Sequence, residues 1–258
     1  MKSESIYIDR SKKVPVLKLN RPNKRNALNL EMWEAFISHL EYASKDESIN
    51  VLVISGEDSN FSAGADIGEM KQVFLDQEIP SKIASVTRLA QKKLYEFCKP
   101  TIAMIRGSCV GGGCGIALCC DFRFGDETIK MGITPGNIGL VYSLADTKRL
   151  VQAVGTSCAK DILFTGRLLE SDECKETGLI DRVFPQNKLE ENVFDYVDKI
   201  SKTSTYSQYS NKKILNLITN GTYDDNEETR EMFLRAFEGD DFKKGLDSFL
   251  KGKKPDFS

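Results

Sequence analysis

The sequence predicts a mixed α/β fold that ends in a purely helical region. Strand-like runs of aliphatic and β-branched residues occur at 14–19, 50–54, 101–105 and 179–184. Segments with helical spacing of apolar residues lie between them, and beyond residue 188 only helical spacing remains. The 258 residues suffice for one large domain with a substantial core. We predict a core unit over residues 1–195 and a helical region over 196–258.

Helices are predicted where apolar residues recur every three or four positions. Asn29 is a favoured N-cap and precedes the apolar stripe of Trp33, Phe36 and Leu40. A long amphipathic helix is expected from Ile83 to Phe97, and Pro100 is expected to end it. Further helices are expected at 144–154, 157–165 and 171–177, a short strand at 121–124, and a Gly- and Pro-rich loop at 128–142.

The charge pattern indicates no charged macromolecular partner. Lys and Arg number 36 against 38 Asp and Glu, and the basic residues are dispersed along the chain. Nucleic acid and acidic membranes are therefore not favoured as ligands. The sequence has no apolar stretch of about 18 residues, as a membrane span requires, and no apolar signal segment near its start. We expect a cytoplasmic protein.

The seven cysteines are an odd number, and most lie in apolar runs without C-x-x-C spacing. Buried free thiols in a reducing compartment are the simplest explanation. The only histidine is His39, which lies beside the apolar stripe of its helix. A zinc site is therefore not expected, and we predict no metal.

Two glycine-rich turns are the most informative feature of the chain. The first is SAGADI at 62–67 and the second is VGGGC at 110–114, and each follows a strand-like run. Glycine permits close approach of a backbone N–H, and a helix start leaves N–H groups unpaired. If the fold joins the turns, they supply two donors to one oxygen, which is an oxyanion hole. For either turn alone a structural role is the more common explanation, and neither matches a P-loop or a dinucleotide fingerprint.

Several ordered motifs accompany these turns. They are LNRP at 19–22, NALN at 26–29, FSAGADI at 61–67, GSCVGGGC at 107–114, Cys120-Asp121, FTG at 164–166 and GLIDRV at 178–183. In this order and spacing the chain resembles the crotonase superfamily, the enoyl-CoA hydratase/isomerase family, over nearly its whole length. The resemblance implies a spiral of ββα repeats and trimers, or dimers of trimers, built through the C-terminal helices.

The resemblance also implies a CoA-thioester substrate and no separate cofactor, because CoA is part of the substrate. By motif position, the N–H groups of Ala65 and Gly112 would hold the thioester oxygen. The CoA moiety would lie against Arg25, Ala27, Leu28, Ala63, Asp66, Ile67 and Gly68. Phe237 and the tail with Lys251 and Lys253 would complete the CoA site, and residues 69–81 would border the acyl pocket.

The chain departs from the family pattern at both hydratase glutamates. Gly115 stands where the first is expected and Pro135 where the second is expected. Neither residue transfers a proton, so water addition by the usual pair is disfavoured. The segment TPGNIGLVYS at 134–143 is instead similar to the loop of methylmalonyl-CoA decarboxylases, in which a tyrosine, here Tyr142, helps orient the substrate carboxylate. Those enzymes can carry His where this chain has Ala65.

The sequence therefore leaves several reactions open. The first is decarboxylation of a malonyl-type CoA, favoured by the loop with Tyr142. The second is double-bond isomerisation with a displaced base, for which Asp66, Glu69 and Asp146 are the acidic candidates. The third is hydration without the two glutamates. The alternative from another functional class is a CoA-thioester binding protein that has lost catalysis.

Overall fold

The computed structural model describes residues 4–70, 78–255 and 257. Within them the strands are β1 Ile6–Asp9, β2 Val16–Leu19, β3 Leu52–Gly56, β4 Thr101–Ile105, β5 Ser108–Val110, β6 Phe122–Asp126, β7 Lys130–Gly132, β8 Leu168–Glu170 and β9 Arg182–Phe184. The helices are α1 Leu30–Lys45, α2 Ile67–Met70, α3 Ile79–Tyr95, α4 Gly112–Cys119, α5 Leu144–Thr165, α6 Ser171–Thr177, α7 Leu189–Ser201, α8 Thr205–Thr219, α9 Glu227–Glu238 and α10 Asp240–Leu250. The predicted α/β class with a helical C-terminal region is confirmed.

The strands form two sheets. The larger sheet has the order β1-β2-β3-β4-β6-β9, with β1 antiparallel to β2 and all other neighbours parallel. The smaller sheet has the order β5-β7-β8, in which β5 is parallel and β8 antiparallel to β7. Because β5 follows β4 directly, it carries the chain from the larger sheet into the smaller one and on to α4.

Side chains of the larger sheet alternate between two cores, as the pleat of a strand requires. On β3, Leu52 and Ile54 belong to the core shared with α1, α3 and α4, whereas Val53 belongs to the core that α7 covers. On β4, Ala103 and Ile105 belong to the same core as Leu52 and Ile54. Both faces of the sheet are buried, so these parallel strands are nearly continuous apolar runs in the sequence.

The helix boundaries follow identifiable local signals. The side chain of Asn29 accepts a hydrogen bond from Met32 N at 3.0 Å, which confirms the predicted cap of α1. The helices predicted at 144–154 and 157–165 form α5, which is interrupted at Gly155. α3 ends at Tyr95, before the predicted stop at Pro100.

The sequence prediction misses β1, β5, β7 and β8. These strands have three or four residues, too few to show a clear alternation, and β7 and β8 are defined by pairing with distant segments. The predicted loop at 128–142 therefore contains a strand, and it also contains a short 3-10 helix at Pro135–Ile138. Of the predicted connection 69–81, residues 71–77 lie outside the described residues.

Among the C-terminal helices, α7 and α8 contact the core, and the later helices pack one against the next. α7 places Leu189, Val193 and Val197 against the larger sheet, and the predicted boundary at residue 195 lies inside this helix. α8 is joined to the core by Lys212, whose ammonium donates to Asp121 Oδ2 at 2.7 Å. α9 packs against α8 and α10. None of the helices formed by the described residues has an apolar stretch long enough to cross a bilayer.

Candidate active site

The two glycine turns meet because backbone hydrogen bonds join the first turn to β5. Ser62 N donates to Ser108 O at 2.9 Å, and Val110 N donates to Ser62 O at 2.9 Å. Ser62 is fully buried, and its hydroxyl donates to Asn26 O at 2.8 Å. The first turn is thereby held against the strand that leads into α4, as an oxyanion hole requires.

Glycine is required at two points of this approach. Gly64 has a φ of +90°, a conformation that side chains disfavour. A Cβ atom on Gly113 would lie 2.7 Å from Ser62 Cβ and 2.8 Å from Ser62 O. Any side chain at residue 113 would therefore push α4 away from the first turn.

The N–H groups of Ala65 and Gly112 lie close together. A Cβ atom on Gly112 would be 4.0 Å from Ala65 N, and one on Gly64 would be 3.4 Å from Gly112 N. Within the described part of the chain, neither N–H donates a backbone hydrogen bond. Gly112 opens α4, so its N–H belongs to those that a helix start leaves unpaired. Ala65 is exposed and Gly112 half-buried, so neither residue is enclosed in the core.

Most of the predicted CoA-binding residues lie in two loops that backbone hydrogen bonds hold together. Ala63 N donates to Arg25 O at 2.8 Å. Leu28 N donates to Gly64 O at 2.7 Å, and Asp66 N donates to Leu28 O at 2.9 Å. The predicted residues Arg25, Leu28, Ala63 and Asp66 therefore lie beside the candidate oxyanion donors. Their contact with CoA remains a prediction.

The other predicted CoA-binding residues differ in accessibility. Ala27 is buried, whereas Ile67 and Gly68 begin α2 and are exposed. Phe237 lies on α9, where its ring packs edge-on against Phe233 and Phe242. The described contacts of Phe237 thus place it among the C-terminal helices, and its role at the CoA site remains a prediction.

Two of the three acidic candidates, Asp66 and Glu69, hold loop and helix ends in place. Arg21 donates to Asp66 Oδ2 at 2.8 Å, and this ion pair lowers the pKa of Asp66. Gly68 N donates to the other oxygen of the same carboxylate at 2.9 Å. Glu69 accepts from Leu30 N at 3.0 Å, at the start of α1. Asp66 and Glu69 therefore stabilise loop and helix ends.

The third candidate, Asp146, lies beside the position of the first missing glutamate. A Cβ atom on Gly115 would lie 2.5 Å from Gln91 Nε2, 3.2 Å from the Tyr142 hydroxyl and 3.5 Å from Asp146 Oδ1. Three polar groups from α3, α5 and the loop before α5 thus converge on the volume that a side chain at residue 115 would occupy. We call Gln91, Tyr142 and Asp146 the polar cluster.

Asp146 is buried, with 6% of its surface exposed, and burial raises its pKa. Three donors oppose that effect by stabilising the carboxylate. Ser143 Oγ donates at 2.6 Å and Arg149 Nη1 at 3.2 Å, and the amide of the neighbouring Gln91 also lowers the pKa of Asp146. The site therefore accommodates both the protonated and the ionised carboxyl group.

Tyr142 and Asp146 are candidates from the sequence, whereas Gln91 is not predicted. Gln91 is 4% exposed and follows Ala90 of the predicted apolar stripe of α3. A glutamine next to such a stripe is more often a solvated boundary residue than a buried one. Gln91 becomes part of a polar cluster only because α5 and the loop before it pack near α3 in the folded chain.

The loop that carries Tyr142 is ordered around the 3-10 helix at Pro135–Ile138. Leu140 N donates to Pro135 O at 2.9 Å, and the Asn137 amide donates to Gly166 O at 3.2 Å. Tyr142 is half-buried, its hydroxyl lies 3.4 Å from Gly111 O, and burial raises its pKa well above the usual value. The neighbouring Val141 is 94% exposed.

The cysteines near α4 are buried. All seven are free thiols. Burial raises the pKa of Cys109 well above its usual value and that of Cys119 to about 12. A thiol must ionise to act as a strong nucleophile, so these residues do not provide covalent catalysis at neutral pH.

Comparison with protein families matches residues 9–258 to the enoyl-CoA hydratase/isomerase model. The chain belongs to the enoyl-CoA hydratase/isomerase family. The resemblance inferred from the motifs is confirmed, and so is the crotonase fold, because solved structures of the family superpose along nearly the entire chain. The protein is thus a member of a family of acyl-CoA enzymes.

Individual relatives agree with this assignment. A family protein from Hyphomonas neptunium has a TM-score of 0.94 at 34% identity, covering 99% of this chain and 98% of its own. A Thermus thermophilus protein named as an enoyl-CoA hydratase is 33% identical over 95% of this chain and 97% of its own. The 2,3-dehydroadipyl-CoA hydratase of Escherichia coli is 29% identical, with 98% of both chains covered.

Proposed function

We propose that this protein converts an acyl-CoA thioester through an enolate whose oxygen is held by the N–H groups of Ala65 and Gly112. The observation that carries the proposal is the proximity of these two amides, neither of which donates to a backbone group among the residues that the structure describes. A thioester enolate concentrates its charge on one oxygen, and fixed donors stabilise that charge without reorganising. The loops at Arg25 and Ala63 would bind the CoA moiety, and no further cofactor is needed.

We further propose decarboxylation of a malonyl-type CoA, or isomerisation, in preference to hydration. Gly115 and Pro135 offer no carboxylate to activate water. Decarboxylation needs mainly an oriented C–C bond and a desolvated carboxylate, and the Tyr142 hydroxyl beside α4 suits that orientation. The same enolate serves an isomerase, with Asp146 as the displaced base.

Hydration is the second candidate, because relatives of 29–33% identity are named as hydratases. A water-adding enzyme would need the polar cluster to replace the missing glutamates. A binding protein without catalysis is the third candidate. The cluster argues against it, since a buried carboxyl group next to a ligand site costs stability that an apolar side chain would not.

The decisive experiment incubates the protein with a mixed panel of malonyl-type, enoyl and saturated acyl-CoA thioesters, followed by mass spectrometry. We expect loss of CO₂ from a carboxylated member, or isomerisation seen as a retention shift without mass change. Gain of water would favour hydration. Binding of the thioesters without conversion of any member would contradict the proposed enzyme.

A further inference from the structure

We infer that Asp146 is the proton-carrying residue of this site, giving a proton to the enolate carbon or removing one from it. The inference rests on the proposed enolate chemistry and adds the acid and base that the family motif lacks here. Its basis is the position of the Asp146 carboxyl group, which faces the volume above Gly115 together with Gln91 and Tyr142.

The helical spacing of α4 relates this volume to the oxyanion donors. Gly112 and Gly115 are three residues apart on one helix, so they lie on the same face, about 5–6 Å apart. A thioester whose oxygen contacts Gly112 N therefore places its neighbouring carbon near the volume above Gly115. That carbon is the one that carries negative charge in the enolate, and Asp146 Oδ1 lies 3.5 Å from the position that a Cβ atom on Gly115 would take.

The surroundings of Asp146 suit a group that alternates between two protonation states. The titratable and charged groups that face it are Cys119 on α4, Tyr142 in the preceding loop and Arg149 on α5. α3 contributes the uncharged amide of Gln91. Arg149 is half-buried, and its guanidinium carbon lies 5.0 Å from the ring centre of Tyr95, a contact that helps to orient it. Burial favours the protonated carboxyl group, and Arg149 with Ser143 stabilises the carboxylate that remains after proton transfer.

The proton step balances without any added reactant. In decarboxylation the bond between the carboxylate and the α-carbon breaks, CO₂ leaves, and the electron pair passes to the enolate. The O–H bond of the Asp146 carboxyl group then breaks and a C–H bond forms at the α-carbon, which restores the thioester carbonyl. Solvent returns one proton to Asp146. In isomerisation, Asp146 starts as the carboxylate, removes a proton and returns it at another carbon.

The test measures exchange of α-hydrogens of a saturated acyl-CoA, such as propionyl-CoA, with D₂O by mass spectrometry. This exchange is the reverse of the protonation step and needs both the oxyanion hole and the base. We expect wild-type protein to exchange and Asp146→Asn to be slower by about 100-fold or more, with acyl-CoA affinity unchanged within a few-fold. Asp161→Asn removes an exposed carboxylate of the same helix, paired with Arg167, and should exchange like wild type.

A second variant separates a proton carrier from a structural residue. Ser143→Ala removes a hydrogen bond that lowers the pKa of Asp146, so the pKa rises further. Because exchange requires the carboxylate, its rate in wild type increases as pH rises through this pKa, and in Ser143→Ala the increase should move to higher pH. Thermal unfolding of both variants establishes that they are folded.

The outcomes distinguish this inference from the proposed function. Exchange at the wild-type rate in Asp146→Asn, or an unmoved pH profile in Ser143→Ala, would overturn the role of Asp146 and leave the proposed enolate enzyme intact. A wild-type protein that binds propionyl-CoA but neither exchanges its hydrogens nor converts any thioester of the panel would overturn both.

Discussion

At the scale of the residue, the hydroxyl of Tyr142 extends from the loop before α5 to the first turn of α4. It lies 3.4 Å from Gly111 O and faces the volume above Gly115. Since burial keeps its pKa high, it remains protonated and is a donor for an anionic group at neutral pH. A protonated Asp146 beside it would not repel a substrate carboxylate, which makes the two side chains compatible with one carboxylated substrate.

Replacing Tyr142 with Phe should slow a malonyl-type substrate selectively. A hydrogen bond to a charged group contributes about 1.5–3 kcal/mol, so kcat/KM should fall by about 10- to 100-fold. A plain enoyl or saturated acyl-CoA should be affected much less, as steady-state kinetics on both substrates would measure. Tyr206→Phe is the matched control, because that hydroxyl donates to Met232 O among the C-terminal helices. Equal losses on both substrates would contradict a carboxylate contact.

At the scale of the element, the position of α4 depends on its contact with the first glycine turn. α4 is buried from Gly113 to Cys119 and packs against α3 and α5, so it cannot shift without disturbing both neighbours. The contact between Gly113 and Ser62 sets how closely the donors of Ala65 and Gly112 approach. Packing of this helix therefore links the stability of the core to the geometry of the site.

Gly113→Ala should accordingly lower both stability and activity. The added methyl group would overlap Ser62, and overpacking of this kind costs about 1–3 kcal/mol. Denaturant unfolding measures the loss, and the acyl-CoA assay should show reduced turnover in protein that remains folded. Gly245→Ala on α10 is the control, since the nearest atom to its Cβ would be 3.5 Å away. A Gly113→Ala protein as stable and active as wild type would show that the turns do not need this close contact.

At the scale of the whole molecule, the C-terminal helices expose a group of large apolar side chains, which is unusual for a protein that remains monomeric. On α9 and α10, Phe233, Leu234, Leu246, Phe249 and Leu250 are all exposed, Phe249 at 78%. Exposed apolar patches of this kind mark interaction surfaces. We therefore propose that the helical region forms the contacts of a trimer, or of a dimer of trimers, as the family resemblance implies.

Charged residues at the end of α10 should break this assembly. In the double variant Phe249→Asp, Leu250→Asp, association would have to bury two unpaired carboxylates, so the trimer should dissociate into monomers. Multi-angle light scattering after size exclusion measures the mass. Lys243→Ser, on an exposed position of the same helix, should leave the mass unchanged. A wild-type protein that elutes as a monomer at assay concentration would contradict the proposal.

The sequence by itself determined the family, the class of fold and the two glycine turns, because these depend on local patterns. Strand runs alternate with helical stripes, and glycines stand where a positive φ or a close approach leaves little choice. Short strands such as β7 were not predicted, because they are defined by pairing with distant segments and not by a local pattern. The absence of both glutamates, at Gly115 and Pro135, was also evident from the sequence.

Only the tertiary structure decided what occupies the place of the first glutamate. Gln91, Tyr142 and Asp146 are far apart in sequence, and their convergence depends on how α3 and α5 pack around α4. The sequence could not rank Asp146 against Asp66 and Glu69. The same packing distinguishes them, because it buries Asp146 beside Gly115 and leaves Asp66 and Glu69 partly exposed at loop and helix ends. Burial and hydrogen bonding set the chemistry of a carboxyl group, and both are properties of the folded chain.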